Sequence, residues 1–205
     1  MKKLSVIFKS FIVICSAVGI LLQCGLGSGA MSGESLRMFT TLSNLAVLVY
    51  FVFHIVFMVH GQLPRSMHRA KFAVTLSIML TGLVAHFMLR PYFASVTGLY
   101  KTALTLLHYV VPISVVADWM LFDKKGHTDN SMPLFAAVFP IIYAAVSLAM
   151  AAVDPTRWPV PYPFLDFDAL GWGGVVLNII LLAAGFLAVG YLGVWVDRRL
   201  AKKQK

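Results

Sequence analysis

Six stretches of about 20 residues, each nearly free of charge, constrain this chain more than any other feature, because that is the length a helix needs to cross a bilayer. They run near Ser5–Leu26, Phe39–His60, Lys71–Leu89, Thr102–Phe122, Pro133–Val153 and Gly173–Val196. Sixty per cent of the 205 residues are hydrophobic and only 12% are charged, where soluble domains carry about 25% charged residues. One small soluble core has no room for so many apolar side chains. The expected fold is therefore all-α, a polytopic bundle of six transmembrane helices forming a single domain over residues 1–205 of a multi-pass cell-membrane protein, such as one of the bacterial cytoplasmic membrane. Lys2 and Lys3 before an apolar run resemble a signal peptide. The run is longer than a signal core, however, and Gln23 stands where cleavage before Cys24 wants a small residue. It reads as an uncleaved first helix.

The net charge of +9 does not point to nucleic acid, since the charges sit in the short connectors. Their distribution sets an orientation instead. With both termini in the cytoplasm, Lys2, Lys3, Lys9, Arg65, Arg69, Lys71, Lys124, Lys125, Arg198, Arg199, Lys202, Lys203 and Lys205 fall on the inner side, 13 of the 17 basic residues. Arg37, Arg90, Lys101 and Arg157 are left outside, a strong positive-inside bias. Cys15 and Cys24 lie within one apolar run, roughly 13 Å apart along a helix, too far for a disulfide. No spacing suggests a metal, and no cofactor is expected.

This topology gives every polar residue within a span a depth, at about 1.5 Å per residue. Gln23, Thr41, Asn44, His86, His108 and Asn178 come from five helices and fall in one layer, in the outer third of the bilayer. Polar groups in hydrocarbon are costly without partners, so they are expected to face one another around a pocket. Thr and Asn in membrane helices commonly serve packing alone. A mid-membrane histidine more often signals function. A hydroxyl nucleophile needs a base, and a buried neutral imidazole accepts its proton. Thr41 and His108 lie at similar depth on different helices, and Asn44, three residues from Thr41, is placed to donate to an oxyanion. Ser43, His86 and Asn178 complete the candidate substrate-binding set. Asp118, near the inner end of the fourth span, is expected to be tethered to a polar neighbour or to the interface.

Three segments carry a resemblance: Phe39-Thr40-Thr41-Leu42-Ser43-Asn44-Leu45, Leu107-His108-Tyr109-Val110-Val111-Pro112 and Tyr162-Pro163-Phe164-Leu165. In their order and spacing the chain resembles a bacterial family of six-helix membrane proteins and, more distantly, the eukaryotic androgen-induced-gene family. The latter are membrane threonine hydrolases that cleave esters of fatty acids with hydroxy fatty acids. The resemblance implies a nucleophilic threonine two positions after an aromatic residue, matched by Thr41 after Phe39. It also implies a histidine just before a helical proline, matched by His108 before Pro112. The Ser43-Asn44 pair follows the bacterial branch. The implied activity is hydrolysis of a lipid or fatty-acid ester, with membrane lipids as surroundings and a lipid-like ester as substrate; the oligomeric state stays open. The outer connector, stiffened by Pro159, Pro161 and Pro163, is expected to cap the pocket or simply to pack.

Other classes also fit these residues. A small-molecule or lipid transporter would use Pro112 and Pro140 as kinks. A haem-binding electron-transfer protein would use His86 and His108 as axial ligands. A structural membrane protein needs no chemical site.

Overall fold

The structure is a computed structural model, and it describes residues 2–27, 33–61 and 64–203. Lys205 and the middle of the first connector lie outside them. Among the described residues, six helices are long and apolar enough to cross a membrane: α1 (Lys2–Gln23), α2 (Phe39–His60), α3 (Ser66–Phe93), α4 (Gly98–Phe122), α5 (Met132–Val153) and α6 (Phe167–Lys203). The chain is a polytopic helical membrane protein. Two glycines in left-handed conformations, Gly25 (φ 99°) and Gly27 (φ 86°), turn the chain after α1. A third, Gly171 (φ 66°, ψ 162°), breaks α6 one turn from its start.

In a bilayer, lipid tails are as apolar as leucine, so these helices are held by close packing and internal polar contacts. Helix α3 is the hub, touching α2, α4, α5 and α6, while α1 packs against α2 and α4. One core cluster joins α1 to α4 through Ile12, Val47, Phe51, Ile78, Val111 and Val115. A second seats α5 and α6 on α3 through Phe72, Leu76, Ala136, Ala137 and Phe186. The outward faces are apolar, with Ile7, Phe53, Ile113, Leu121 and Leu181 all exposed.

Small residues allow the closest crossings. A Cβ on Gly19 of α1 would stand 2.5 Å from Leu107 Cδ2, and Leu107 is fully buried. A Cβ on Gly82 of α3 would stand 3.1 Å from the His108 carbonyl oxygen. Overpacking such a crossing costs about 1–3 kcal/mol. Gly19→Val is therefore expected to lower the thermal unfolding midpoint in detergent, whereas the exposed Val18→Leu should leave it unchanged.

Two helices widen locally into π-helix, at Ala85–Leu89 in α3 and Leu106–Val110 in α4. Each stretch ends two residues before a proline, Pro91 or Pro112. A proline cannot donate to the carbonyl four residues back, and its ring crowds that carbonyl. Widening the preceding turn relieves the crowding. The carbonyl concerned in α4 is that of His108, so the site histidine sits in an irregular turn, as is common at functional positions.

Candidate active site

Helix α2 begins at Phe39, and its first turn supplies a buried polar cluster. Thr40 Oγ1 lies 3.1 Å from His108 Nε2, and both residues are at least 96% buried. On its other side, His108 Nδ1 lies 3.0 Å from the Leu104 carbonyl oxygen. A carbonyl can only accept, so Nδ1 carries the proton and Nε2 presents a lone pair. The Thr40 hydroxyl therefore donates to Nε2. The ring of Phe93 packs over the imidazole with centroids 5.0 Å apart.

A third group completes the chain of contacts. Tyr162 OH accepts the Thr40 backbone N–H at 3.3 Å and stands 3.4 Å from Thr40 Oγ1. Burial pushes the Tyr162 phenol above its ordinary pKa, so it stays protonated and remains a donor. Tyr162 comes from the connector between α5 and α6, which is clamped over the site at several points. Arg37 donates to the carbonyls of Arg157 (3.3 Å) and Pro159 (3.0 Å) and lies over the Trp158 ring. Asn178 donates to the Phe164 carbonyl at 3.0 Å, and Tyr162 stacks on Phe164.

The first turn of α2 is fixed from behind. Ser43 and Asn44 both donate to the Thr40 carbonyl, at 3.1 and 2.8 Å. Ser43 also contacts Thr81 at 2.7 Å, and Asn44 reaches the Leu107 carbonyl at 3.2 Å. These bonds tie α2 to α3 and to the widened turn of α4.

The hydroxyl paired with His108 is thus that of Thr40, not the expected Thr41. Successive helical residues point about 100° apart. With Thr40 turned toward α4, Thr41 is fully buried elsewhere and its hydroxyl has no hydrogen-bond partner. Asn44 and Ser43 lie in the cluster, but the Asn44 amide hydrogens are engaged by two carbonyls, so the expected oxyanion role finds no free donor there. Asn178 holds the connector. His86 is exposed, its ring edge-on to Phe87 and Tyr109. It is not among the hydrogen-bond or ring partners of His108, whose two ring nitrogens are engaged by Thr40 and the Leu104 carbonyl. Among the described residues no three His, Cys, Asp or Glu side chains converge as a metal site.

Thr40 and Tyr162 open onto a cavity of about 240 Å³ bounded mainly by α3, α5, α6 and the connector. Its walls are apolar apart from Thr40, Thr81, Tyr143 and Tyr162. Along α5 it runs from Tyr143 to Leu134, roughly 14 Å at 1.5 Å per residue. Leu134 and Ile141 on its wall are more than half exposed, so it communicates with the lipid-facing surface. The site couples a base-paired hydroxyl to an elongated apolar chamber. Compared with protein-family models, curated proteins and solved structures, the chain matches none.

Proposed function

We propose that this protein is a membrane-embedded ester hydrolase acting on a lipid or fatty-acid ester, with Thr40 as nucleophile and His108 as base. The observation that carries the reading is the Thr40–His108 contact, in a fixed tautomer, with Thr40 on the wall of an apolar cavity. This is the nucleophile–base–orienter arrangement of acyl-transfer enzymes, with a backbone carbonyl as the orienting group.

In the proposed reaction, an acyl chain enters the cavity from the lipid side and places its ester carbonyl at Thr40. Thr40 Oγ1 attacks the carbonyl carbon as its proton passes to His108 Nε2. Tyr162 donates its O–H to the oxyanion. Collapse expels the alcohol, which takes the proton from His108, and leaves an acyl-threonine. Water then attacks the acyl carbon, giving its proton to His108. The acid departs as Thr40 recovers its hydrogen. No step requires a metal or a redox partner.

The test is hydrolysis of long-chain p-nitrophenyl esters by the detergent-purified protein. His108→Ala is expected to remove the activity. Tyr162→Phe keeps the ring stack and loses the donor, so kcat should fall about 100-fold, as for loss of one oxyanion donor, with KM little changed. Full activity in His108→Ala would contradict the reading.

A further inference from the structure

A separate cavity of about 280 Å³ lies at the other end of the bundle, among α3, α4, α6 and the 123–131 connector. Its depth is apolar, with Phe72, Leu76, Val116 and Leu192 on the walls, while His68, Lys71, Lys124 and His127 stand at the rim. The carboxylates beside them are used within the protein. Asp123 accepts from Lys71 at 2.7 Å. One Asp197 oxygen accepts from the Gly126 and Thr128 backbone N–H groups and the Thr128 hydroxyl, at 2.9, 3.1 and 2.8 Å. What remains for a ligand is the exposed Lys124 and the stacked rings of His68 and His127, 4.6 Å apart. Arg198, Arg199 and Lys202 add positive charge at this end of the bundle, while Arg69 is paired with Asp129 at 3.4 Å.

Deeper inside, one helical turn beyond Lys71 (about 6 Å), Thr75 lines the cavity. It is only 7% exposed, yet its hydroxyl has no hydrogen-bond partner. A buried donor left so is costly. Thr75 itself lines the cavity, and rotation about its Cα–Cβ bond would turn this hydroxyl toward an acceptor on whatever fills it.

We propose that this cavity binds one anionic glycerophospholipid from the leaflet at the basic end of the bundle. The headgroup phosphate sits at Lys124, His68 and His127, an acyl ester carbonyl accepts from Thr75, and one acyl chain lies along Phe72, Leu76 and Val116. The spacing of donors selects this class. A free phosphate has no acceptor a turn below its charge, and a free fatty acid carries only the one polar group. The positive-inside bias makes the leaflet the cytoplasmic one. This site is separate from Thr40 and stands or falls apart from the hydrolase reading.

Native mass spectrometry of the detergent-purified protein tests it, with phosphatidylglycerol, phosphatidylcholine of the same chains and glycerol phosphate as probes. The expected result is one retained phosphatidylglycerol, favoured about tenfold over phosphatidylcholine, and no retained glycerol phosphate. Thr75→Val, which keeps the shape, should weaken retention about tenfold, and Lys124→Glu should remove the headgroup preference. Unfolding midpoints of the lipid-free proteins, measured in parallel, should match. Equal retention of both lipids, tight glycerol phosphate binding, or phosphatidylglycerol retention indifferent to both substitutions would overturn the proposal.

Discussion

Thr40→Ala is expected to lower ester hydrolysis by at least about 1,000-fold, while Thr41→Ala retains most of the wild-type rate. Removing the nucleophile of a hydroxyl–imidazole pair costs many orders of magnitude in well-studied hydrolases, because the remaining groups have no partner through which to act. The two threonines are adjacent and both fully or almost fully buried, so composition, depth and helix propensity scarcely separate them. What separates them is direction. Thr40 faces His108 and Tyr162 across the cavity wall, and Thr41 faces neither. Initial rates on a long-chain ester, with unfolding midpoints alongside, make the comparison. Equal losses in the two variants would mean that the first turn of α2 matters only for folding.

The second large effect concerns stability, at the basic end of the bundle. Asp118 is fully buried and accepts from Lys9 of α1 at 2.7 Å and from Lys71 of α3. Lys71 also pairs with Asp123 at 2.7 Å, and Lys9 donates to Ser5 at 2.9 Å. One carboxylate thus fastens three helices. Removing it leaves two buried ammonium groups, of which only Lys71 keeps an acid, Asp123. Breaking a buried pair this way costs about 3–5 kcal/mol. Asp118→Asn should therefore lower the folded yield and the unfolding midpoint sharply. Asp123→Asn should cost much less, because the Asp123 side chain is 19% exposed and Lys71 keeps Asp118. Replacing Lys9, Lys71 and Asp118 together by Met, Met and Leu should recover much of the loss, since apolar residues of similar volume often substitute for a buried ion network without penalty. Thermal unfolding followed by circular dichroism would show the order, and an unchanged midpoint in Asp118→Asn would remove the clamp from the account.

The six helices were legible in the sequence because hydropathy over about 20 residues is a property of a segment and needs no tertiary information. The polar layer was partly legible for a related reason. Depth follows from counting residues along a span, and His108 and Asn44 both reach the first turn of α2, His108 through Thr40 Oγ1 and Asn44 through the Thr40 carbonyl. Direction around the helix axis is a different matter. A choice between Thr40 and Thr41 is a rotation of about 100°, and that rotation is set by Ser43, Asn44 and Thr81 binding across to other helices. Motif spacing read from an aromatic residue carries no such information. Tyr162 was visible as the first residue of the Tyr162-Pro163-Phe164-Leu165 motif, with no role attached to its hydroxyl. Its place beside Thr40 depends on the clamps at Arg37 and Asn178, which reach residues 122 and 14 positions away in the connector. The same lesson holds for Lys9 and Lys71. Counted as topology charges, they look like side chains at the water interface, yet both are buried and committed to Asp118. Of the two tethers anticipated for Asp118, a polar neighbour or the interface, the structure shows the first, with Lys9 and Lys71 as the neighbours.

The prolines illustrate a signal with an indirect reading. The sequence reads Pro112 as a kink and Pro91 as part of a connector, yet both α4 and α3 respond by widening one turn before the proline. In α4 that turn carries His108, bound on one side to the Leu104 carbonyl and on the other to Thr40. Pro112→Ala would restore an N–H at that turn and is a useful companion variant for the site, with its rate and its unfolding midpoint read together.

The central claim, that Thr40 carries a hydroxyl activated by His108, is tested most directly by treating the folded, detergent-purified protein with a fluorophosphonate and mapping the adduct by peptide mass spectrometry. The account predicts one stoichiometric adduct on Thr40, retained in Thr41→Ala and lost in Thr40→Ala and His108→Ala. An adduct on Thr41, or none on folded wild-type protein, would contradict it.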